Sequence, residues 1–182
     1  MPPKRQPLSL KGRALALLSQ REHSISELRR KLLRHLRAAD QARRPGPPAA
    51  AADPIPLDDD AEQRIDDVIA WLREHNYLSE ERFVESRIHA RAGRYGNLRI
   101  RQELAQHGVE MTPEASQSLK DSELERATDV WRRKFGEPPA DTSEKARHAR
   151  FLAQRGFSAD VISRVLRQAG IRERFDDSAD VP

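Results

Sequence analysis

The side chains that could support catalysis or metal binding are scattered along this 182-residue chain. Cysteine is absent, and no glycine lies in a Walker A loop or a GxGxxG turn. The acidic run at 58–62 has the start of a calcium loop, but Gln63 stands where glycine is required and Ile69 where glutamate is required. The six histidines have no paired spacing, and we expect each at the surface or a module edge: His23, His35, His75, His89, His107 and His148. We therefore predict no enzymatic activity, no cofactor and no metal site.

Arginine is the residue type whose spacing is informative. Arg30, Arg34 and Arg37 recur at i, i+4 and i+7 and share one helix face, with Lys31 beside them. A second row has the same spacing on a predicted 79–94 helix, and its members are Arg87, Arg91 and Arg94. This second row shares its helical arc with three apolar residues, which are Phe83, Val84 and Ile88. Either the arginine stems cover the core edge while the guanidiniums reach water or acids, or the row faces a partner.

The segment Tyr95-Gly96-Asn97 predicts a short turn, with Asn97 as the cap of a helix that carries Arg99 and Arg101. An aromatic ring beside guanidiniums is typical of protein and nucleic-acid interfaces, although Tyr95 could equally close a core. The candidate residues for binding a partner or DNA are Arg30, Lys31, Arg34, Arg37, Arg87, Arg91, Arg94, Tyr95 and Arg99.

Composition favours thin helical modules over one thick core, since 34% of the residues are charged and 37% are hydrophobic. Residues 1–44 hold 12 Lys/Arg against 3 Asp/Glu, whereas residues 45–80 hold 2 against 9. Basic blocks suit a polyanion or an acidic protein face, and equally a solvated helical surface. We interpret Trp71 and Trp131 as core anchors rather than base-stacking platforms. No apolar run approaches the roughly 20 residues that span a bilayer, and no signal peptide is recognisable, so we expect a cytoplasmic protein.

Helix signals recur along the chain, whereas no run of β-branched residues alternates with period two. Two Ser/Glu pairs have the spacing of a capping box, namely Ser24 with Glu27 and Ser122 with Glu125. Ser79 and Thr112 are further predicted N-caps. Glycines are expected to end helices at Gly108, Gly136, Gly156 and Gly170. The chain is therefore predicted to be all-α.

The segment from Leu104 to Val109 recurs 48 residues later, from Leu152 to Phe157. A repeat of this length indicates tandem units that bury their open faces against neighbours. We predict three three-helix modules at 14–78, 79–121 and 122–170. We also predict a flexible tail at 1–13, a mobile Ala/Pro insertion at about 38–60 and a disordered acidic tail at 171–182. The predicted core is Leu28, Leu32, Val68, Leu72, Phe83, Ile100, Leu104, Leu152 and Val161.

Two segments combine these features in a fixed order. The first reads Leu15-x-x-Leu18-x-x-Arg21-Glu22-His23-Ser24-x-x-Glu27-Leu28-x-x-Lys31-Leu32. The second reads Tyr95-Gly96-x-x-Arg99-Ile100-x-x-Glu103-Leu104-x-x-x-Gly108-Val109. Together with the joining segment 72–83, they resemble the signatures of the RecX family, strongly over about residues 10–110 and weakly over 122–170.

This resemblance implies three tandem three-helix units in an elongated, curved array. It also implies a monomeric, non-enzymatic regulator that binds RecA and the RecA filament on DNA. Such a regulator inhibits RecA ATPase, strand exchange and coprotease activities, and so modulates recombination, DNA repair and the SOS response. Weak direct binding to DNA could accompany this role. The alternatives from the residues alone are a helical DNA-binding protein that acts without RecA, and a scaffold for other partners.

Overall fold

The computed structural model describes residues 8–43 and 59–176. Within these ranges the chain forms nine α-helices and no strand, which confirms the all-α prediction. The helices are α1 (Leu10–Leu18), α2 (Ile25–Arg43), α3 (Asp59–Glu74), α4 (Glu80–Ala92), α5 (Asn97–Gln106), α6 (Pro113–Asp121), α7 (Glu123–Lys134), α8 (Thr142–Gln154) and α9 (Ala159–Asp176). No helix in the described ranges is both long enough and apolar enough to cross a bilayer.

Three helix boundaries differ from the sequence prediction. The first helix begins at Leu10, inside the predicted tail 1–13, because the Ser9 hydroxyl accepts the Gly12 N–H at 3.1 Å and caps it. The second helix continues to Arg43 through residues of good helix propensity, and α3 begins at Asp59, so both ends of the predicted insertion 38–60 are helical. The rest of that insertion, 44–58, lies outside the described residues, as do 1–7 and 177–182.

The last helix also runs further than predicted. Gly170 lies inside α9, so the predicted helix end at this glycine is wrong. Val165, Leu166 and Ala169 keep the apolar stripe of α9 buried up to this point. A glycine inside a helix weakens it by only about 1 kcal/mol, which this burial offsets. The helix therefore enters the segment predicted to be a disordered tail, 171–182, and continues to Asp176.

The chain divides into two compact units, Met1–Phe83 and Val84–Pro182. In the first unit, α2 packs on α3 and α1 packs on both. Its buried centre is formed by Ala14, Leu28, Leu32, Ile65, Ile69, Leu72 and Leu78. The side chain of Trp71 packs against the edge of this core and stacks on His75, with ring centroids 4.2 Å apart. The interpretation of Trp71 as a core anchor therefore holds only in part.

In the second unit, α7, α8 and α9 pack on one another around an apolar cluster that includes Trp131, Leu152, Phe157 and Val165. Trp131 is buried and its indole N–H donates to His148 Nδ1 at 3.2 Å, which confirms it as a core anchor. Eight of the nine predicted core residues are buried, and the exception, Val68, is partly buried. Two of the histidines expected at the surface or at a module edge, His23 and His148, are buried.

The two halves of the sequence repeat end in the same hydrogen-bonded turn. The N–H of Val109 donates to the carbonyl of Leu104 at 3.2 Å, and the N–H of Phe157 donates to that of Leu152 at 3.2 Å. Gly108 and Gly156 occupy the left-handed position of this turn, with φ of 69° and 82°. Both turns are therefore Schellman-type helix ends, in which glycine avoids the strain that a Cβ would impose.

Predicted N-caps form at Ser24, Ser79 and Thr112, whose hydroxyls accept backbone N–H groups at 3.1–3.2 Å. The capping box predicted at Ser122 is wrong. The hydroxyl of Ser122 donates to the carbonyl of Ser118 at 2.9 Å, because this residue ends α6 as well as preceding α7. The predicted cap at Asn97 is also wrong, since Gly96 occupies the cap and Asn97 is the first residue of α5.

Candidate partner-binding surface

The arginine row of α2 is exposed. Arg30, Arg34 and Arg37 all lie at the surface, on the helix face that their spacing predicts. Lys31 differs from them, because its ammonium lies 2.8 Å from His23 Nε2 and 3.4 Å from a carboxylate oxygen of Glu27. The α2 row thus presents three exposed cations, while the fourth predicted residue belongs to a local cluster.

That local cluster is a polar group at the start of α2. Arg21 makes a two-pronged ion pair with Glu27, one prong being Nη1 to Oε2 at 3.1 Å. His23 is 1% exposed, and its Nδ1 lies 2.9 Å from the carbonyl oxygen of Arg21. In the tautomer that donates from Nδ1, Nε2 accepts a hydrogen bond from Lys31. The first family-like segment therefore builds a helix start, in which the Ser24 cap, Glu27 and His23 are all buried.

The protonation of this cluster is shifted by its surroundings. Burial raises the pKa of the Glu27 carboxyl, but the hydrogen bonds and charge of Arg21 and the charge of Lys31 outweigh it. The net result is a fall from 4.5 to about 2. Burial is also the main cause that lowers the pKa of His23, helped by the charges of Arg21 and Lys31. Both shifts favour the arrangement found at neutral pH, a charged Glu27 and an uncharged His23.

We expect Glu27→Gln to lower the free energy of unfolding at pH 7 by about 1–3 kcal/mol. This range already allows for solvent screening of the ion pair, because Arg21 is partly exposed. A depressed folded-state pKa gives stability that is complete above pH 4.5 and is lost as the pH falls toward 2. The difference between wild type and Glu27→Gln should therefore shrink as the pH falls below 4.5. Urea unfolding followed by circular dichroism at several pH values measures this difference. A difference independent of pH would show that the Glu27 charge does not stabilise the fold.

The arginine row of α4 is partly neutralised within its own unit. Arg87 Nη1 and Arg91 Nε both donate to Glu103 Oε1 on α5 at 3.1 Å. The hydrogen bond and charge of Glu103 raise the pKa of Arg91. For these two residues the structure matches the alternative in which the guanidiniums reach an acid. Arg94 and Arg99, in contrast, are exposed.

Two arginines of the predicted site lie beside the ring of Tyr95. The guanidinium carbon of Arg99 lies 4.7 Å from the ring centroid, and that of Arg91 lies 5.9 Å from it. The ring is half-buried, so Tyr95 does not fill a core position. We define the α4–α5 cluster as Arg87, Arg91, Arg94, Tyr95 and Arg99. Within it Arg91 and Arg99 make cation–π contacts with Tyr95, and Glu103 is the counter-charge of Arg87 and Arg91.

The turn that carries Tyr95 is held by close contact with the repeat turn at Gly156. The N–H of Gly96 donates to the Arg155 carbonyl at 2.9 Å, and the N–H of Leu98 donates to the Gly156 carbonyl at 3.0 Å. A Cβ on Gly96 would lie 2.2 Å from the carbonyl oxygen of Gly156. The two glycines therefore allow backbone to meet backbone, and this contact fixes the position of the α4–α5 cluster.

Two arginines of α7 and Arg155, the C-cap of α8, donate to carbonyl groups at the end of α4 and just after it. Arg126 donates to the carbonyls of Ala92 and Tyr95 at 3.2 and 2.9 Å. Arg133 donates to that of Gly93 at 2.7 Å, and Arg155 donates to that of Arg94 at 3.2 Å. A helix C-terminus leaves carbonyls without helical donors and carries partial negative charge, so guanidinium groups stabilise it.

Sequence reasoning missed these three arginines and two buried or half-buried acids. Glu123 is 5% exposed and accepts the N–H of Asn97 at 3.1 Å, while Glu103 pairs with the α4 row. Glu103 was visible as a member of the second family-like segment. The arginines gave no signal, since most of their acceptors are backbone carbonyls, which any residue supplies.

The described residues thus define an all-helical fold that carries one exposed arginine row, on α2, and a surface cluster with cation–π contacts. Models of the second and third three-helix domains of RecX match residues 79–111 and 121–166. Regulatory protein RecX of Ralstonia pickettii is 42% identical over 97% of both chains. That of Leptothrix cholodnii is 44% identical over 96% of this chain and 98% of its own. The chain belongs to the RecX family.

The fold agrees with solved structures of that family. A crystal structure of RecX from Lactobacillus salivarius superposes with a TM-score of 0.62 and 16% sequence identity. The superposition covers 89% of this chain and 95% of the other. At this identity the likeness supports the fold alone, and the family assignment rests on the sequence matches.

Proposed function

We propose that this protein binds RecA and the RecA filament on DNA in the cytoplasm, as a monomer without catalytic activity. It thereby inhibits RecA ATPase, strand exchange and coprotease activities, and modulates recombination, DNA repair and the SOS response. The observation that carries this proposal is the similarity, over 97% of both chains, to a protein named regulatory protein RecX. Regulators of this kind act through binding surfaces, which dispersed exposed cations can supply.

We propose two separate binding surfaces, the α4–α5 cluster in the second unit and the exposed α2 row in the first. Arg94 and Arg99 are the strongest candidates for direct contact, because Arg87 and Arg91 already pair with Glu103. Tyr95 contributes a half-buried ring beside these cations, a combination common at protein interfaces. Of the remaining candidates, Lys31 contributes through the cluster at the start of α2.

Reversing two exposed arginines, as in Arg94→Glu with Arg99→Glu, should weaken inhibition of RecA on the order of a hundredfold. Charge-assisted contacts contribute about 1.5–3 kcal/mol each before solvent exposure reduces them, which sets this magnitude. The measurement is the DNA-dependent ATPase rate of RecA with rising amounts of each variant, beside circular dichroism of the same samples. A second variant, Arg30→Glu with Arg34→Glu, tests the α2 row in the same way.

The matched control is Arg150→Glu with Arg167→Glu, which changes the net charge equally at two exposed positions outside both proposed surfaces. The control should inhibit RecA as the wild type does. Full inhibition by the folded Arg94/Arg99 variant would disprove the assigned site. A wild-type protein that leaves the RecA ATPase unchanged would disprove the proposed function itself.

A further inference from the structure

A cleft of about 440 Å³ lies beside the α4–α5 cluster, between the end of α4, the last turn of α7 and the end of α8. The basic cleft, as we call it, is lined by four cations and two aromatic rings: Arg94, Tyr95, Arg133, Lys134, Phe151 and Arg155. No carboxylate is present among the described residues that line it. Its volume falls in the range of roughly 300–1,000 Å³ that is usual for small-ligand sites.

Two cations of this cleft, Arg133 and Arg155, are held by neutral groups, and no ion pair with a carboxylate of the described residues involves them. Arg133 is held by the carbonyl oxygens of Gly93 and Asp129, at 2.7 and 3.2 Å. Arg155 is held by the carbonyl oxygen of Arg94 at 3.2 Å. A neutral carbonyl orients a guanidinium but does not cancel its charge, in contrast to the Glu103 carboxylate that serves Arg87 and Arg91. Concentrated, oriented positive charge in a concave site favours an anionic ligand.

The two aromatic rings of the cleft favour an anion that also carries a planar ring. The guanidinium carbon of Arg155 lies 4.5 Å from the centroid of Phe151, on one wall of the cleft. Tyr95, whose ring lies 4.7 Å from the guanidinium carbon of Arg99, also lines the cleft. Stacked rings and guanidinium planes are the surfaces on which nucleobases stack, while cations beside them hold the attached phosphate.

We propose that the basic cleft binds one nucleotide unit. Lys134, Arg133 and Arg155 hold its phosphate, and its base stacks against Phe151 or Tyr95. The unit belongs to a single-stranded nucleic acid or is a free nucleotide, since both present the same phosphate and base. This binding does not require RecA, so it can succeed or fail independently of the proposed function.

The test titrates the full-length protein into a fluorescein-labelled oligothymidylate and follows fluorescence anisotropy. Lys134→Ala with Arg155→Ala should weaken binding about tenfold to a hundredfold, and should make the salt dependence less steep by about 0.7 per lost phosphate contact. The matched control is Arg132→Ala with Arg150→Ala, which removes the same charge outside the cleft. The control should bind within about twofold of wild type, because neither Arg132 nor Arg150 lines the cleft.

Two further arms separate the base from the phosphate. An oligomer with abasic sites should bind wild type about tenfold more weakly, and replacing the ring that carries the base, by Phe151→Leu or by Tyr95→Leu, should abolish that preference. If Arg155→Ala disturbs folding as judged by circular dichroism, Lys134→Ala alone is used, because Lys134 is exposed at the end of its helix. For this single variant we expect a loss of about three- to tenfold.

Competition identifies the source of the nucleotide unit. Displacement of the oligomer by ATP at concentrations near its own dissociation constant supports a free nucleotide, whereas displacement only by unlabelled oligomer supports a strand. Equal displacement by polyglutamate of the same charge would show a site for acidic peptides and overturn the proposal. Equal weakening in the cleft and control variants, or no binding of any nucleotide by wild type, would also overturn it.

Discussion

Replacing Gly96 with alanine should lower the free energy of unfolding of the second unit by about 3–5 kcal/mol. The added Cβ would lie 2.2 Å from the carbonyl oxygen of Gly156 and 2.3 Å from the backbone nitrogen of Phe157. Neither atom can move as a side chain can, since both belong to the backbone of the turn that closes α8. The turn around Gly96 must therefore separate from the turn around Gly156.

That separation removes more than van der Waals contact. It breaks the hydrogen bonds from the N–H groups of Gly96 and Leu98 to the carbonyls of Arg155 and Gly156. Each such bond contributes about 0.5–1.5 kcal/mol, and a buried group left without a partner costs more. Overpacking of a dense interior adds about 1–3 kcal/mol. Together these contributions make Gly96→Ala one of the most destabilising single substitutions expected in the second unit.

The chain offers a spectroscopic probe for each unit, because its two tryptophans, Trp71 and Trp131, lie in different units. In a Trp71→Phe background, urea unfolding followed by fluorescence reports on Trp131 and hence on the unit that contains Gly96. Two glycines serve as controls, since a Cβ at Gly93 or at Gly170 meets no atom within 4 Å. Gly93→Ala should change stability by less than about 0.5 kcal/mol, and Gly170→Ala should raise it by about 0.5–1 kcal/mol.

Equal, small effects of alanine at Gly96 and Gly93 would contradict this account. They would mean that the turns around Gly96 and Gly156 do not meet in solution. The sequence predicted a short turn at Tyr95-Gly96-Asn97, but the φ of Gly96 is −79°, which any residue adopts. The requirement for glycine at this position comes from a close approach between segments 60 residues apart, which no local pattern reveals.

The sequence predicted what depends on neighbouring residues. Helix content, the caps at Ser24, Ser79 and Thr112, and most of the core follow from periodicity and local hydrogen bonding. The repeat was also visible, because the same hydrogen-bonded turn needs the same leucine and glycine in both copies. These features are confirmed because short-range physics determines them.

The candidate site was less predictable, because its charges depend on which residues meet across the fold. The spacing of Arg87, Arg91 and Arg94 placed three cations on one face. It could not reveal that Glu103, more than ten residues further on, pairs with the first two. Likewise, the interpretation of Asn97 as a cap used only its nearest neighbours. Its side-chain amide instead donates to the Leu119 carbonyl at 3.1 Å.

Arg126 should be the charged residue whose loss destabilises the second unit most, by about 3–5 kcal/mol for Arg126→Ala. A guanidinium has five N–H groups, and those of Arg126 have five acceptors. The acceptors are the carbonyl oxygens of Ala92 (3.2 Å), Tyr95 (2.9 Å) and Leu119 (3.0 Å), Asn97 Oδ1 (2.6 Å) and Ser122 Oγ (3.3 Å). They come from the end of α4, the start of α5 and the junction of α6 with α7. One side chain thus joins four helices of this unit.

Removing the Arg126 side chain is costly because buried groups that it pairs with would lose their partner. Burial lowers the pKa of Arg126 while the charge of Glu123 raises it, so the guanidinium is partly desolvated beside a buried carboxylate. Alanine would leave Glu123 without this nearby positive charge and several carbonyls without a donor. Breaking one side of a buried charged network costs more than the network contributes when intact. The stability lost in Arg126→Ala should therefore exceed the stability that five hydrogen bonds at the protein surface contribute.

A graded series separates charge from geometry. Arg126→Lys keeps the positive charge but has three donors on a single nitrogen, so it should recover only part of the lost stability, leaving a deficit of about 1–3 kcal/mol. Arg132→Ala, on the same helix with a side chain 51% exposed, should change stability by less than about 0.5 kcal/mol. Urea unfolding in the Trp71→Phe background measures all three variants. Equal stability of Arg126→Lys and wild type would show that charge alone matters, and would contradict the five-bond arrangement. A loss for Arg126→Ala no greater than that for Arg132→Ala would show that Arg126 does not join these helices.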